Sequence, residues 1–329
     1  MARDSGRVTL EDIARATGYT INTVSRALKN KEDISRQTCE IIQAKAHEMG
    51  YVRNYMASSL RSGRSKTFAM ITGTMSNPFY AILADLLQEE AGKKGYGLMI
   101  LCSRDDPETE EKAVEMALSR QVDGVLISPA TVDSPGLKLL RNSGLPFVLL
   151  SRYLRMENDD SVIQDDEQGG YLAGKYLIEK GHRRMAYLSY RHVVYSTRTR
   201  GEGFRRACVE AGIPDEDIFE ARVNGDEEVL QQLREWIEKG VTGIFSFCDV
   251  EAWSSLTLLE ESGLALPKNL TFVGFDNILG YIHFPKPITS IDGNLREEAR
   301  TAVEILRNRI HEPDLPPQHR VIPVELIRR

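Results

Sequence analysis

From residue 68 onward, short apolar runs alternate with longer stretches in which apolar residues recur every three or four positions. The runs are nearly continuous, as expected of strands that a parallel sheet buries on both faces. The longer stretches have the period of helices that cover such a sheet. The predicted strands are residues 68–72, 97–101, 124–127, 146–150, 185–188, 243–247 and 270–275. The predicted helices lie near residues 79–94, 108–120, 134–143, 168–180, 199–211, 226–239 and 250–262.

This alternation forms two successive arrays, one before and one after about residue 165. The order predicts an α/β body of two doubly wound lobes with a cleft between them. Ligands of such folds bind beyond the carboxyl ends of the strands. The residues that follow each apolar run are therefore the candidates for a binding site.

A different pattern fills the first fifty residues, where three short amphipathic segments follow one another. Thr9 and Thr20 are suitable N-caps for the first two helices, and Gly18 is placed to end the first in a left-handed conformation. Ser35 is a suitable N-cap for the third helix. The apolar stripe of this third helix is predicted to consist of Ile41, Ile42, Ala46 and Met49.

The first two segments have the spacing of a helix-turn-helix. Small Ala14 allows the helices to cross closely, Gly18 makes the turn, and Val24 locks the second helix onto the first. A three-helix bundle without a DNA role would show the same helices. The outer face of the second helix favours DNA, because asparagine pairs with adenine, arginine grips guanine and isoleucine contacts a thymine methyl group. The candidate DNA-binding residues of this helix are Thr20, Ile21, Asn22, Thr23, Ser25 and Arg26.

Residues 53–66 predict a short, weak helix followed by a basic linker. Asn54 is a suitable N-cap, and Leu60 is a large apolar side chain with no evident core of its own. So short a helix is marginal alone in water and would fold only against a partner copy or DNA. Leu60 is either an ordinary exposed leucine or a wedge between base steps in the minor groove.

Composition and charge narrow the class of protein. Of the 329 residues, 41% are hydrophobic and 27% charged, and no apolar run is long enough to span a membrane. The first 66 residues carry 12 basic and 7 acidic side chains, whereas the rest of the chain is acidic, so a polyanionic partner is expected for the head alone. The chain begins without a secretory signal, and its four scattered cysteines indicate neither disulfides nor a zinc site. We therefore expect a cytoplasmic protein without a metal or other cofactor.

The chain resembles the lactose-repressor/galactose-repressor (LacI/GalR) family of transcriptional regulators. The head and hinge carry the resemblance at residues 9–14, 23–28, 50–54 and 57–60, and the body carries it at 76–80, 165–170, 181–186, 200–204 and 273–277. The resemblance implies that Ile21, Asn22 and Arg26 read bases and that Leu60 levers open the central base step. The implied hinge contacts to DNA are Asn54, Tyr55, Ala57, Ser58 and Leu60.

The resemblance also implies the organisation of the chain. A helix-turn-helix head would span residues 1–52, a hinge and linker 53–66, and an effector-binding and dimerisation domain 67–329. In this periplasmic-binding-protein-like body the first lobe would comprise about 67–164 and 292–320, and the second about 165–291 and 321–329. The implied protein is a homodimeric repressor that binds a pseudo-palindromic DNA operator under the control of a small polar effector, a sugar or sugar-like metabolite.

Arg200 and Asp276 are the main candidate effector contacts. An arginine provides fixed donors and a carboxylate accepts from hydroxyl or N–H groups, so the two together suit a sugar or another polar small molecule. Without the resemblance, Arg200 is equally well a surface helix residue and Asp276 a turn residue. Phe79, Arg152 and Asp249 are weaker candidates.

Cys248, also a candidate contact, departs from the family pattern, which commonly has asparagine at this position. A thiol is a poor hydrogen-bond partner, so a sugar would lose a polar contact there. A redox-sensing role is conceivable, but a buried unreactive thiol is the simpler interpretation.

Enzymatic and transport functions fit the sequence less well. The serine-hydrolase, zinc-protease and phosphate-loop motifs are missing, and the glycine motif that begins at Gly201 has Arg206 in place of the third glycine of a dinucleotide site. The acidic pairs at 159–160 and 165–166 are typical of solvated turns. A transport protein would share the body, but the head argues against that function. A sugar-modifying enzyme on this fold would turn its ligand over, whereas a regulator returns it unchanged.

Overall fold

The computed structural model describes residues 8–52, 63–131, 133–152, 158–190, 195–283 and 286–329. The chain divides into two compact units, Met1–Ser65 and Lys66–Arg329. In the described part of the chain, no helix is both long and apolar enough to cross a membrane. The predicted hinge contacts Asn54, Tyr55, Ala57, Ser58 and Leu60 lie outside the described residues.

Three helices build the first unit: α1 (Leu10–Thr17), α2 (Ile21–Ala27) and α3 (Arg36–Glu48). Thr9 begins α1 with a capping box, in which it exchanges hydrogen bonds with Asp12. Gly18 ends this helix with a φ of 74°, a conformation that favours glycine. Thr20 and Ser35 accept backbone hydrogen bonds at the starts of α2 and α3. The three predicted N-caps are confirmed.

The core of the first unit lies between the inner faces of these helices. Val24 and Ile42 are completely buried in it. The prediction that Ile41 belongs to the buried stripe of α3 is wrong, because its side chain is 45% exposed. Cys39 is buried in its stead, since positions three and four residues from Ile42 share its side of the helix.

The second unit consists of parallel strands and covering helices. Its strands are β1 (Thr67–Thr72), β2 (Gly97–Cys102), β3 (Gly124–Ile127), β4 (Phe147–Leu150), β5 (Asp160–Gln164), β6 (Met185–Tyr190), β7 (Ile218–Val223), β8 (Gly243–Ser246), β9 (Thr271–Phe275), β10 (Thr289–Asp292), β11 (His319–Ile322) and β12 (Glu325–Ile327). Its helices are α4 (Pro78–Lys93), α5 (Pro107–Ser119), α6 (Pro135–Ser143), α7 (Asp166–Glu179), α8 (Tyr195–Glu210), α9 (Gly225–Glu238), α10 (Asp249–Glu261) and α11 (Leu295–His311).

The strands form two six-stranded sheets, in the orders β11-β5-β4-β3-β1-β2 and β12-β10-β9-β8-β6-β7. Every neighbouring pair is parallel except β10 and β12, which run antiparallel. Each sheet with its helices is one lobe of the body. The predicted α/β fold with two doubly wound lobes is confirmed.

The chain passes between the sheets three times: after Gln164, after Asp292 and after Ile322. The backbone N–H of Asp165 donates to the carbonyl oxygen of Ile322 at 3.0 Å, which joins the first passage to the third. Residues 66–164 and 293–322 are hereafter the first lobe, and residues 165–292 and 323–329 the second. Because β11 extends to Ile322, the third passage comes slightly later in the chain than expected.

Each sheet is buried by apolar layers on both faces. In β1, Met70 packs towards α4 and α11, and the next residue, Ile71, packs towards α5 and α6 on the other face. The second strand is the exception: β2 lies at the edge of its sheet and Ile100 is exposed, so the prediction that this strand is buried on both faces is wrong. Ile82 of α4 packs against the cores of both lobes.

Candidate DNA-binding and effector sites

The second helix of the head exposes the predicted DNA-binding side chains at its amino end. Thr20, Ile21 and Asn22 are exposed, and the Ile21 side chain is 49% accessible. Val24 and Ala27 are completely buried on the opposite face. In a helix-turn-helix, the amino end of this helix is the part that contacts base edges. The exposed side chains of Asn22 and Ile21 thus lie at the end of the helix that would contact the bases.

Arg26, further along α2, is held by an ion pair. Its Nη2 lies 2.6 Å from Oδ2 of Asp33, and both side chains are about half exposed. This hydrogen bond raises the pKa of Arg26 and lowers that of Asp33. Thr23 and Ser25 lie half-buried on the same helix. Because Asp33 engages Nη2, a base contact by Arg26 would either use the other N–H groups of the guanidinium or displace Asp33.

Arg200 lies at the centre of a buried polar cluster in the second lobe. Its Nε donates to Oδ1 of Asp166 at 2.7 Å, and its Nη1 donates to the carbonyl oxygen of Phe247 at 2.6 Å. The guanidinium also lies over two rings, 3.4 Å from the centroid of Phe275 and 4.5 Å from that of Phe247. These contacts fix both the position and the plane of the guanidinium.

Two glycines bring Arg200 to this position. A Cβ at Gly170 would lie 1.9 Å from the carbonyl oxygen of Arg200, and one at Gly203 would lie 1.9 Å from the carbonyl oxygen of Glu167. Only glycine allows the backbones of α7 and α8 to approach so closely. The crossing places Arg200 of α8 beside Asp166 at the start of α7.

Asp276 follows β9 in a strained conformation, with a φ of 100°. Its Oδ1 lies 4.0 Å from Nη1 of Arg200, which is too long for a hydrogen bond. The residue is only 3% exposed, yet its side chain receives no hydrogen bond from the described residues. Burial raises the pKa of this carboxyl well above its usual range. Asp276 therefore has hydrogen-bonding capacity that the described residues of the protein do not use.

The first lobe holds a second arginine cluster, built around Arg152. Nη1 of Arg152 donates to Asp105 at 2.7 Å and to the carbonyl oxygen of Pro129 at 2.9 Å, and Nη2 donates to the hydroxyl of Tyr80 at 3.0 Å. Burial raises the pKa of Tyr80, and the charges of Asp105 and Asp276 act in the same direction. Arg200 and Asp276 of the second lobe lie 4.0 Å apart, and Arg152 belongs to a separate cluster in the first lobe.

Two other predicted effector contacts, Phe79 and Asp249, have partners within the protein. Phe79 is buried in the apolar core of the first lobe and packs edge-to-face on Tyr80, with ring centroids 5.1 Å apart. Asp249 is completely buried, and its carboxyl accepts hydrogen bonds from the Ser290 hydroxyl at 2.6 Å and the Ile278 N–H at 2.8 Å. Burial raises its pKa to about 7. Asp249 thus links α10 to the segments that contain Ile278 and Ser290, and its contact with an effector stays a prediction.

Cys248 is buried immediately before α10. Its Sγ lies 3.9 Å from the hydroxyl of Tyr190, whose ring packs edge-to-face on Phe247 at 5.8 Å. Burial raises the pKa of the thiol well above its usual range, so the thiolate needed for redox chemistry is disfavoured. Cys248 directly follows Phe247, whose backbone carbonyl oxygen accepts a hydrogen bond from Arg200. The thiol therefore lies next to the Arg200 cluster.

Three of the four carboxylates of the acidic pairs predicted to be solvated are buried instead, whereas Asp165 is half-buried. Asp166 pairs with Arg200, and Asp159 and Asp160 pair with Arg141 at 2.5 Å and Arg309 at 2.9 Å. Within the described ranges, no three histidine, cysteine, aspartate or glutamate side chains are grouped so as to hold a metal ion.

Several members of the two clusters were not among the predicted contacts: Tyr80, Asp105, Asp166, Tyr190 and Phe247. Asp105, Tyr190 and Phe247 stand at or just after the ends of strands, where the rule for ligand sites in parallel sheets points. That signal could have found them. The burial of Asp166 had no such local signal.

A helix-turn-helix unit, together with a body of two parallel-sheet lobes that each hold a buried arginine cluster, is the organisation of a ligand-responsive DNA-binding regulator. The family model for bacterial regulatory proteins of the lacI family matches residues 9–54, and that for the periplasmic binding protein-like domain matches residues 175–329. The HTH-type transcriptional repressor PurR of Vibrio parahaemolyticus serotype O3:K6 is 30% identical over 310 residues, 93% of each chain. The chain belongs to the LacI family of DNA-binding transcriptional regulators.

Solved structures share the fold. A LacI family transcriptional regulator from Enterococcus faecium with bound ribose is 25% identical, with a TM-score of 0.70, over 80% of this chain and 97% of that one. The lac repressor dimer bound to operator and the anti-inducer ONPF superposes with a TM-score of 0.82 at 22% identity, over 98% of each chain.

Proposed function

We propose that the protein is a dimeric transcriptional repressor whose DNA binding is controlled by a small polar effector, such as a sugar, held between the lobes. The observation that carries this proposal is the buried Arg200, which lies 4.0 Å from Asp276, a buried carboxylate that receives no hydrogen bond from the described residues. Such a protein binds its effector and returns it unchanged, so we propose no enzymatic turnover. Its site of action is the cytoplasm, where the operator DNA is.

The chemistry of the second-lobe cluster supports a ligand rich in hydroxyl or N–H groups. Asp276 can accept hydrogen bonds from such groups, and Arg200 has N–H groups beyond those bonded to Asp166 and Phe247. Tyr190, which is 37% exposed, lies beside them through its ring contact with Phe247. The ribose bound by the Enterococcus faecium regulator is a molecule of this kind.

For DNA recognition we propose that α2 enters the major groove. Ile21, Asn22 and Arg26 would contact base edges, with Thr20, Thr23 and Ser25 beside them on the phosphate backbone. Two heads in a homodimer would read the two halves of a pseudo-palindromic operator. The hinge of residues 53–66 would enter the minor groove, with Leu60 as the wedge at the centre.

Effector binding would act on DNA through lobe closure. The three passages at Gln164, Asp292 and Ile322 are the positions where the lobes can rotate against each other. A change in closure would change the spacing of the two hinges of a dimer and so decide whether they fold on DNA. The division between Ser65 and Lys66 supports treating the head and hinge as one functional part and the body as the other.

Thermal unfolding of the full chain against a library of neutral sugars and nucleosides tests this proposal. We expect at least one compound to raise the melting temperature and to be recovered unchanged. The Arg200→Ala variant should lose that shift, whereas Arg205→Ala, which removes an exposed arginine of the same helix, should retain it. Consumption of the compound, or a full shift in the Arg200→Ala variant, would contradict the proposed effector site.

A further inference from the structure

The second-lobe wall of the cleft contains two carboxylates for one cation. Arg200 is bonded to Asp166 at 2.7 Å and lies 4.0 Å from Asp276. All three side chains are between 3% and 6% exposed, so water screens these charges only weakly. The guanidinium of Arg200 is the strongest hydrogen-bond donor of this cluster, and it is already paired with the Asp166 carboxylate of the protein itself.

The Arg152 cluster of the first lobe is balanced in the same way. Arg152 is bonded to Asp105 at 2.7 Å, and its other donors engage the carbonyl of Pro129 and the hydroxyl of Tyr80. The two arginines and three carboxylates of the clusters sum to one negative charge when Asp276 is ionised. They sum to zero when Asp276 is protonated, as its raised pKa favours. Among the described residues of the two clusters, both arginines are paired in either case.

This inference rests on the proposed effector site and names its ligand class. We propose that Asp166 is a specificity-determining residue that, by holding Arg200, makes the cleft reject anionic ligands. The effector is then a neutral molecule with several donors, such as an unphosphorylated sugar. Sugar phosphates, nucleotides and sugar acids are excluded.

The physical reason is the cost of moving an anion out of water. A buried anion needs an unpaired cation or several free donors to compensate its lost hydration. Here it would compete with the Asp166 carboxylate for Arg200, and wherever Asp276 is ionised it would be repelled by that carboxylate as well. A neutral hydroxyl loses far less hydration and gains an acceptor in Asp276. The charge of Asp166, rather than its hydrogen bond alone, therefore sets the preference.

Inorganic sulfate is the probe that tests the charge balance. The full chain is titrated with millimolar sodium sulfate by calorimetry, with sodium chloride at equal ionic strength as the reference. The variants are Asp166→Asn/Asp276→Asn, which leaves Arg200 unpaired, and the same double variant with Arg200→Ala. Asp215→Asn is the matched control, because it removes an exposed carboxylate that pairs with Arg205 at 2.9 Å.

We expect no saturable sulfate binding by the wild type or by Asp215→Asn. The Asp166→Asn/Asp276→Asn variant should bind sulfate at least about tenfold more tightly than the wild type or Asp215→Asn. Adding Arg200→Ala to this double variant should remove that binding. Saturable binding by the wild type, or no binding by the folded double variant, overturns the proposal. If the double variant does not fold, titration of the wild type with ribose 5-phosphate decides: no saturable binding supports the proposal, and binding that Arg200→Ala abolishes overturns it. These titrations use no DNA, so their failure is distinct from a failure of operator binding.

Discussion

Replacing Gly170 with alanine tests the helix crossing that positions Arg200. The added Cβ would lie 1.9 Å from the carbonyl oxygen of Arg200 and 2.8 Å from its carbonyl carbon, whereas real Cβ atoms essentially never come within 3.0 Å of a neighbour. The backbones of α7 and α8 must therefore separate by about 1 Å. Overpacking costs ~1–3 kcal/mol, and we expect the upper end because the obstacle is backbone. The preference of helices for alanine offsets less than ~1 kcal/mol.

Urea unfolding of the Gly170→Ala variant measures this cost. Trp236 and Trp253, the two tryptophans of the chain, both belong to the second lobe, so their fluorescence reports the lobe in which the crossing lies. Gly92→Ala is the control, monitored by circular dichroism, because a Cβ at this helical position meets no atom within 4 Å. It should leave stability unchanged or raise it by up to ~1 kcal/mol. A Gly170→Ala variant as stable as the wild type would refute the close crossing.

Three further outcomes are expected. Asn22→Ala, which removes an exposed amide from α2, should weaken operator binding by ~1–3 kcal/mol in a mobility-shift assay without changing the melting temperature; unchanged affinity would show that Asn22 reads no base. Thr9→Ala, which removes the capping box of α1, should lower the free energy of unfolding of the head by ~0.5–2 kcal/mol, and an unchanged transition would contradict the cap. Burial raises the pKa of Glu251 to about 8 in the folded protein, so ionising it there costs free energy. Its contribution to stability should be lost between about pH 4.5 and pH 8, by up to ~1.4 kcal/mol per pH unit, and Glu251→Gln should flatten this slope; identical slopes in the two proteins would refute the assignment.

The features of the fold that the sequence predicts are those determined by neighbouring residues along the chain. Strands such as β3 and β8 are continuous apolar runs, and their burial on both faces follows from composition alone. The fifth strand was not predicted, because Asp160, Ser161 and Gln164 break its apolar pattern although all are buried. Asp160 is stabilised there by Arg309, which lies 149 residues further along the chain. A local pattern cannot show a partner at that distance.

The candidate site divides in the same way. The position of Arg200 and Asp276 near each other was expected from their motifs, and the structure brings them to 4.0 Å. The pairing of Arg200 with Asp166 was not expected, because it depends on how closely two helices cross. The pairing of Arg26 with Asp33 was also missed, since it joins α2 to the segment that follows it. Sequence motifs therefore identify the candidate residues, but they do not show which side chains tertiary packing brings together.

Selection of random duplex DNA by the full-length protein tests the central claim most directly. At about 150 mM salt, where non-specific phosphate binding is weak, only base recognition enriches a sequence. We predict recovery of a two-fold symmetric motif, and its loss from the selection when Asn22 and Arg26 are replaced by alanine. Failure to enrich any motif, both alone and with a mixture of neutral metabolites, would contradict a dimeric DNA-binding regulator controlled by an effector.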